Sequence, residues 1–155
     1  MLSKVFRNYG ILMAYSSGNN VSGNIVNATS KLTEAISQFN STNSIVGIDA
    51  YYTCQNNVFS DNEVYVKAYD NYIYGMGVKG YIDGHDAPEG QGSYYNQFTN
   101  IYICVEGPYC VEGIIVGDKD AVDTTIENNI INVKSDKVSY GINLEMSQKS
   151  ILENN

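Results

Sequence analysis

Apolar and polar residues alternate with a period of two after each of five glycines in this chain. In a β-strand such alternation places one set of side chains on an inner face and the other set outside. We therefore predict five short strands, each preceded by a glycine that marks a bend. The glycines are Gly10, Gly47, Gly75, Gly113 and Gly141, and the predicted inward residues are Ile11, Met13, Tyr15, Ile48, Ala50, Tyr52, Met76, Val78, Ile114, Val116, Ile142, Leu144 and Met146.

A second pattern, apolar-x-x-Asn-x-apolar, follows the first one along the chain. Asparagine tolerates left-handed backbone angles, and its amide can bond an equivalent amide in a neighbouring turn of chain. We predict that these asparagines stand at one corner of the fold and form a structural ladder. Its members are Asn24, Asn62, Asn100, Asn129 and Asn155, and unit 3 departs slightly because its apolar residue Phe98 comes one place late.

The spacing of these glycines and asparagines defines a repeat. A basic unit of about 27 residues, with one insertion of roughly ten residues in unit 1 and another in unit 3, accounts for every interval. So short a unit cannot bury its apolar face alone, whereas stacked units pair equivalent strands in parallel. The pattern predicts an all-β solenoid, a parallel β-helix of about five coils, as one domain over residues 1–155. A β-sandwich is the competing fold, but it would not give five copies in one register.

The Gly-Ile and Ile-x-x-Asn-x-Ile repeats resemble the right-handed parallel β-helix family that includes pectate lyases and bacterial and archaeal adhesin-like surface proteins. The resemblance covers nearly the whole chain, from about Tyr9 to Asn155. It implies a right-handed solenoid and an extracellular or cell-surface location. Because the ends of such a solenoid need caps, we expect this sequence to be a fragment of a longer repeat protein.

Charge and composition narrow the range of partners. A net charge of -8 and a pI near 4.4 disfavour nucleic acid and anionic membranes, because both attract basic surfaces. No segment approaches the roughly 18 apolar residues of a membrane span, so we predict no membrane insertion. With a single histidine the chain has no zinc-binding spacing, and we predict neither a metal nor another cofactor. N-glycosylation sequons begin at Asn20, Asn27 and Asn40 and suit a secreted protein.

Insertion 1 carries apolar residues at helical spacing. Leu32, Ala35, Ile36 and Phe39 follow the i, i+3, i+4, i+7 pattern, and Ser30 can cap the helix. We predict a short helix at a corner, more as a cover for the fold than as a binding element.

Insertion 2 carries the main concentration of potential chemistry. Its segment Tyr-Ile-Asp-Gly-His-Asp at 81–86 is similar to the Tyr/Phe-Asp-Pro-His-Asp/Glu motif of mannuronan C5-epimerases, with Gly84 in place of the proline. The resemblance implies acid/base roles for Tyr81, Asp83 and His85, and Lys79 is a further catalytic candidate. The alternative is an ordinary solvated loop.

Outward charged positions of the glycine-led strands, and tyrosines in or beside the predicted strands, supply the binding candidates. Tyrosine is unusually frequent, with fourteen copies and no tryptophan, and an outward tyrosine can stack on a sugar ring, although it is also simply a good strand former. The candidate binding residues are Tyr51, Tyr72, Asp49, Asp118 and Glu145. Cys104 and Cys110 flank a turn. The sequence allows two interpretations of this pair, a disulfide across the turn or two small buried thiols.

Two functions follow from these patterns. The first is a non-catalytic segment of a secreted or cell-surface adhesin-like protein that presents a carbohydrate- or surface-binding face to a polysaccharide or cell-surface glycan. The second is a polysaccharide lyase or a mannuronan C5-epimerase-like enzyme acting on uronic-acid polymers. A pectate-lyase calcium site is not predicted, because the outward charges are spread over four coils and include no arginine.

Overall fold

The computed structural model describes residues 7–30, 44–69, 72–79, 92–117, 121–145 and 147–155. These residues form sixteen β-strands in four sheets, and the strands pair in parallel. The all-β prediction is confirmed for them, and the arrangement is consistent with a parallel β-helix. The described part of the chain has no helix long and apolar enough to span a membrane. The helix predicted around Leu32 to Phe39 lies outside the described residues.

Each sheet collects strands from successive units of the predicted repeat. The first sheet contains β1 (Arg7–Ala14), β4 (Ser44–Tyr51), β7 (Tyr72–Lys79), β11 (Cys110–Gly117) and β15 (Val138–Glu145). The second contains β2 (Asn20–Ser22), β5 (Val58–Ser60), β9 (Gln97–Thr99), β13 (Thr125–Glu127) and β16 (Ile151–Glu153). The third contains β3 (Ile25–Thr29), β6 (Glu63–Lys67), β10 (Tyr102–Gly107) and β14 (Ile130–Ser135). The fourth pairs β8 (Ser93–Tyr94) with β12 (Ala121–Val122).

The repeated glycines lie in the middle of the first-sheet strands, whereas the sequence pattern placed them before the strands. A β-carbon on Gly47 would lie 2.3 Å from Cγ1 of Val64 and 2.5 Å from the carbonyl oxygen of Gly75. The position therefore requires glycine because backbone and core side chains approach it closely. Alternation is interrupted at this glycine, since Ile45 and Ile48 both belong to the main core although they lie three residues apart.

The core is formed by the inward apolar residues of the first three sheets. Phe59 of β5 and Phe98 of β9 are both fully buried, and their rings stack with centroids 4.9 Å apart. Offset or stacked aromatic pairs of this kind add to the free energy of burial. The same in-register stacking brings Ile48, Met76 and Ile114 into one buried row.

Two corners in every unit use left-handed backbone, with φ between 50° and 71°. This conformation is costly for most residues and favours glycine, asparagine and aspartate. The first corner uses Gly18, Asn56, Tyr95, Asp123 and Lys149, and the second uses Gly23, Asp61, Asn100, Asn128 and Asn154. In each unit the two left-handed residues lie five positions apart.

The residue after the second corner forms the first amide ladder. Asn24 donates from its backbone nitrogen and from Nδ2 to Oδ1 of Asn62, both at 3.0 Å. Asn129 donates in the same way to Oδ1 of Asn155, at 3.1 and 2.8 Å. Each acceptor therefore receives two bonds from the equivalent residue of the preceding unit.

Asn100 is not a member of this ladder. Register with the neighbouring strands gives the unit-3 position to Ile101, whose backbone nitrogen donates to Oδ1 of Asn129 at 2.9 Å. Asn100 is instead the left-handed residue just before it, with φ 54°. The sequence pattern placed it in the ladder because asparagine suits both of these adjacent positions.

A second amide ladder, which the sequence pattern did not predict, follows the first corner. Asn19 donates from its backbone nitrogen and from Nδ2 to Oδ1 of Asn57, at 3.0 and 3.1 Å. Asn57 donates likewise to Oδ1 of Asn96, at 3.2 and 3.1 Å. Thr124 takes the next position, where its buried hydroxyl has no hydrogen-bond partner among the described residues. The sequence spacing could have predicted this ladder, because its residues lie five positions before the residues that occupy the first-ladder positions.

The cysteines are free thiols. Cys104 lies within β10 of the third sheet, and Cys110 begins β11 of the first sheet. Of the two alternatives that the sequence left open, the disulfide is not formed. Cys54 is buried in the core, and this burial raises the pKa of its thiol.

Candidate functional site

The predicted catalytic residues fall largely outside the described part of the chain. Tyr81, Asp83 and His85 are in this group. Lys79, the remaining candidate, ends β7, and its Nζ lies 4.9 Å from the ring centroid of Tyr74. A lysine at this distance from an aromatic face is held by a cation–π interaction.

Polar side chains meet on the outward face of the first sheet, where four neighbouring strands place them side by side. The hydroxyl of Tyr74 donates to Oδ2 of Asp49 at 2.9 Å. The hydroxyl of Tyr72 donates to Oε2 of Glu112 at 2.8 Å, and Nδ2 of Asn143 donates to Oε1 of the same carboxylate at 3.0 Å. We call these five residues the outer polar cluster.

Gly77 provides the space in which the first of these pairs forms. It lies opposite Asp49 on the neighbouring strand. A β-carbon at this position would lie 2.7 Å from Oδ1 of Asp49 and 2.7 Å from Cε2 of Tyr74. Contacts below 3 Å force a rearrangement, so the absence of a side chain at Gly77 lets the tyrosine reach the carboxylate.

Burial decides what this cluster can do. Asp49, Tyr74 and Glu112 are 1%, 3% and 2% exposed. Burial, and then the charge of Asp49, raises the pKa of Tyr74 well above its ordinary value, and burial together with Glu112 raises the pKa of Tyr72. Both phenols keep their protons at neutral pH and serve as donors. An enclosed tyrosine that holds its proton is poorly placed as a general base, so the cluster is better suited to holding neighbouring strands together.

The predicted binding residues divide between this cluster and other positions. Asp49 and Tyr72 belong to the cluster and already have hydrogen-bond partners. Tyr51 is only 4% exposed, so it has no open face for a sugar ring. Glu145, at the end of β15, is exposed, and Asp118 lies outside the described residues. Strand alternation gave the outward direction of Asp49 but not its burial.

Four other tyrosines lie between the first-sheet strand and the second-sheet strand of their unit. Tyr15 and Tyr95 are 66% and 57% exposed, and Tyr52 and Tyr94 are partly buried beside them in sequence or register. The rings of Tyr15 and Tyr52 stack at 5.0 Å with an interplanar angle of 4°. We call these four residues the corner tyrosines. The alternation pattern placed Tyr15 and Tyr52 inward, but left-handed backbone at both residues, with φ 52° and 62°, ends the alternation there.

A shallow cleft of about 130 Å³ lies where strands of the third sheet end. Its lining includes a row of charged side chains, because register aligns Lys67, Glu106 and Lys134 on adjacent strands. The two ammonium groups lie 3.0 and 3.1 Å from the two carboxylate oxygens of Glu106. They hold the pKa of that carboxyl below its usual value. The remaining lining residues are Ala68, Tyr69, Gly107, Pro108, Ser135 and Asp136.

Neither a metal-binding group nor a similar protein assigns a function to the outer polar cluster, the corner tyrosines or the cleft. Within the described ranges, no three histidine, cysteine or acidic side chains come together in a way that could hold a metal ion. Comparison of the chain with protein-family models, with curated proteins and with solved structures gave no match.

Proposed function

We propose that the chain is a non-catalytic segment of a right-handed parallel β-helix of about five coils, part of a secreted or cell-surface adhesin-like protein, and that it binds a polysaccharide through its corner tyrosines. The parallel, in-register pairing of one strand per unit supports the coil arrangement. The resemblance noted in the sequence supports the handedness and the surface location. Two of the three sequons begin at exposed residues, Asn20 and Asn27, which suits a glycosylated exterior.

The stacked pair of Tyr15 and Tyr52 carries the binding proposal. The two nearly parallel rings, one per unit, stack face to face, and with Tyr15 66% exposed the pair leaves flat apolar ring surface open to solvent. The C–H faces of a sugar ring pack on such a surface, while the phenol hydroxyls stay hydrated. Because the two rings already order one another, little side-chain entropy is lost when a ligand binds.

The location of the pair also favours a long ligand. Tyr94 and Tyr95 lie in the following unit, where register aligns them with Gln55 and Asn56, just after Tyr52 in the preceding unit, and their ring centroids are 6.4 Å apart. A polysaccharide that lies along the corner would meet aromatic side chains in three successive units. This is a property of a polymer-binding surface, whereas a single small ligand would need one enclosed pocket.

The test is a binding measurement on soluble polysaccharides, with cellulose, mannan, pectin and alginate oligomers as probes. We expect the double substitution Tyr15→Ala/Tyr52→Ala to weaken binding at least tenfold. Tyr140→Ala is the matched control, since Tyr140 is 46% exposed but lies on β15, away from the corner. Equal loss in the control variant, or unchanged binding in the double variant, would rule out the corner tyrosines as the binding surface.

The second candidate function is a lyase or C5-epimerase acting on uronic-acid polymers. The observation that favours it is the outer polar cluster, which places tyrosines and carboxylates beside Lys79 at the strand end that leads into insertion 2. The experiment follows unsaturated product and epimer content after incubation with alginate and pectin, with His85→Ala alongside. Activity that disappears in His85→Ala would replace the binding function by the enzymatic one.

A further inference from the structure

The cleft beside the third sheet offers a different set of groups from the corner tyrosines. Its charges are balanced, because two lysines, Lys67 and Lys134, face two carboxylates, Glu106 and Asp136. The chain as a whole carries a net charge of -8. Lysine is therefore concentrated here relative to the rest of the molecule, yet not enough to give the cleft a positive charge.

This balance bears on the charge of a ligand. A carboxylated sugar would have to compete with Glu106 for both ammonium groups, which already lie 3.0 and 3.1 Å from its oxygens. It would also approach Asp136 and a strongly acidic chain. A neutral sugar meets neither obstacle. Its hydroxyl groups can donate to carboxylate oxygens and accept from lysine N–H groups that the ion pairs leave over, since each ammonium has three.

The size of the cleft and the apolar residues that line it also favour a neutral sugar as the ligand. Tyr69, which is 49% exposed, and Pro108 line the cleft and supply apolar surface for the face of a sugar ring. The cleft volume of about 130 Å³ is below the roughly 300–1,000 Å³ of pockets that enclose drug-sized ligands. A cleft of this size contacts at most one sugar ring, and a longer glycan would have to continue outside.

We infer that this cleft is a second glycan contact, which takes one neutral hexopyranose residue between Tyr69 and the Lys67–Glu106–Lys134 row. The inference is independent of the corner tyrosines, because no corner tyrosine lines the cleft. It extends the proposed function by placing a further contact on the third-sheet side of the same units. A contact of this size is weak by itself, with a dissociation constant on the order of millimolar.

The test is a titration of the ¹⁵N-labelled chain, followed by two-dimensional NMR, with cellohexaose, mannohexaose and trigalacturonate as probes. We expect a neutral hexaose to shift the backbone amides of Tyr69, Gly107 and Ser135. Tyr69→Ala should weaken this interaction about tenfold through loss of the aromatic face. Tyr109→Ala is the control, since Tyr109 is 48% exposed next to Pro108, in the turn after β10, but does not line the cleft.

Glu106→Gln separates the role of charge from that of shape. Without the carboxylate the two lysines lose their shared partner, so we expect trigalacturonate to bind several-fold tighter than it binds the wild type. Preference of the wild type for trigalacturonate, unchanged binding in Tyr69→Ala, or no shift at the cleft with any of the three probes would each overturn the inference. The Tyr15→Ala/Tyr52→Ala variant keeps the two proposals distinct, because it should leave the cleft shifts unchanged.

Discussion

The amide ladder through Asn57 and the charge row through Glu106 use the same construction and differ in their surroundings. In both, parallel register places equivalent residues of successive units side by side, and each central residue contacts the one before and the one after. Asn57 is fully buried, whereas the flanking lysines of the charge row are 58% and 77% exposed in their side chains.

The difference indicates that register alone does not determine how much a row stabilises the fold. Water competes for every hydrogen bond of an exposed row, and salt screens its charges. A buried amide has no such substitute, so a lost partner costs the desolvation of the group left behind. We therefore expect similar substitutions to destabilise the fold much more in the buried row than in the exposed row.

The largest effect is expected at the centre of the buried ladder. Asn57→Leu removes the acceptor for two bonds from Asn19 and leaves the carbonyl of Ser16, 2.9 Å from Nδ2 of Asn57, without that donor. We expect the free energy of unfolding to fall by about 2–4 kcal/mol, measured by urea denaturation. Asn132→Leu is the control, since Asn132 is exposed on β14. Comparable loss in that variant would mean that burial does not separate the two kinds of row.

The first ladder should be less sensitive, because it is already interrupted. Asn62 accepts two bonds from Asn24, but its neighbour on the other side is Ile101, which offers no amide side chain. We expect Asn62→Leu to reduce the free energy of unfolding by about 1–3 kcal/mol. A melting temperature equal to that of the wild type would contradict the ladder at this position.

The sequence predicted which residues align between units better than it predicted what each aligned residue does. The glycines and four of the five asparagines lie in register, because a fixed spacing is imposed directly by stacking. The second ladder was not predicted because no single residue type marks its positions, which hold Asn19, Asn57, Asn96 and then Thr124. Residue type alone could not separate the corner position from the ladder position next to it.

The contacts of the candidate sites were harder to foresee. The bond between Tyr74 and Asp49 joins residues that are not directly opposite one another, and it forms only because Gly77 leaves space. Accessibility was equally hidden, since Tyr51 and Tyr52 are adjacent in sequence yet Tyr51 is buried and Tyr52 takes part in the exposed corner. A left-handed residue reverses the direction that alternation would assign.

A smaller, stabilising effect is expected where the second ladder breaks off. Thr124 is fully buried, and its hydroxyl has no partner within the described ranges. Thr124→Val keeps the shape and removes the desolvated hydroxyl, so we expect the unfolding free energy to rise by up to about 1 kcal/mol. A loss of stability of the same size, measured by thermal melting, would show that the hydroxyl is hydrogen-bonded.

The smallest effect on stability is expected for the exposed row of Lys67, Glu106 and Lys134. The pKa of Glu106 is lowered by Lys67 and Lys134, so its contribution to stability is present above the unfolded pKa of 4.5 and is lost as the pH falls through the folded value. NMR titration of its carboxyl should show this lowered pKa, and Lys67→Ala should raise it toward 4.5. High salt should reduce the shift. A pKa of Glu106 that does not respond to Lys67→Ala would mean that the ion pair is not formed in solution.

The constant five-residue distance between the two left-handed corners limits where this chain can vary in length. In all five units that segment keeps the same number of residues, whereas both insertions fall elsewhere, one between β3 and β4 and the other between β7 and β8. A residue added between the corners would shift one ladder against the other. Evolution can therefore diversify the molecule at the two permissive junctions, and the same junctions are the places where a foreign peptide could be grafted without disturbing the stack.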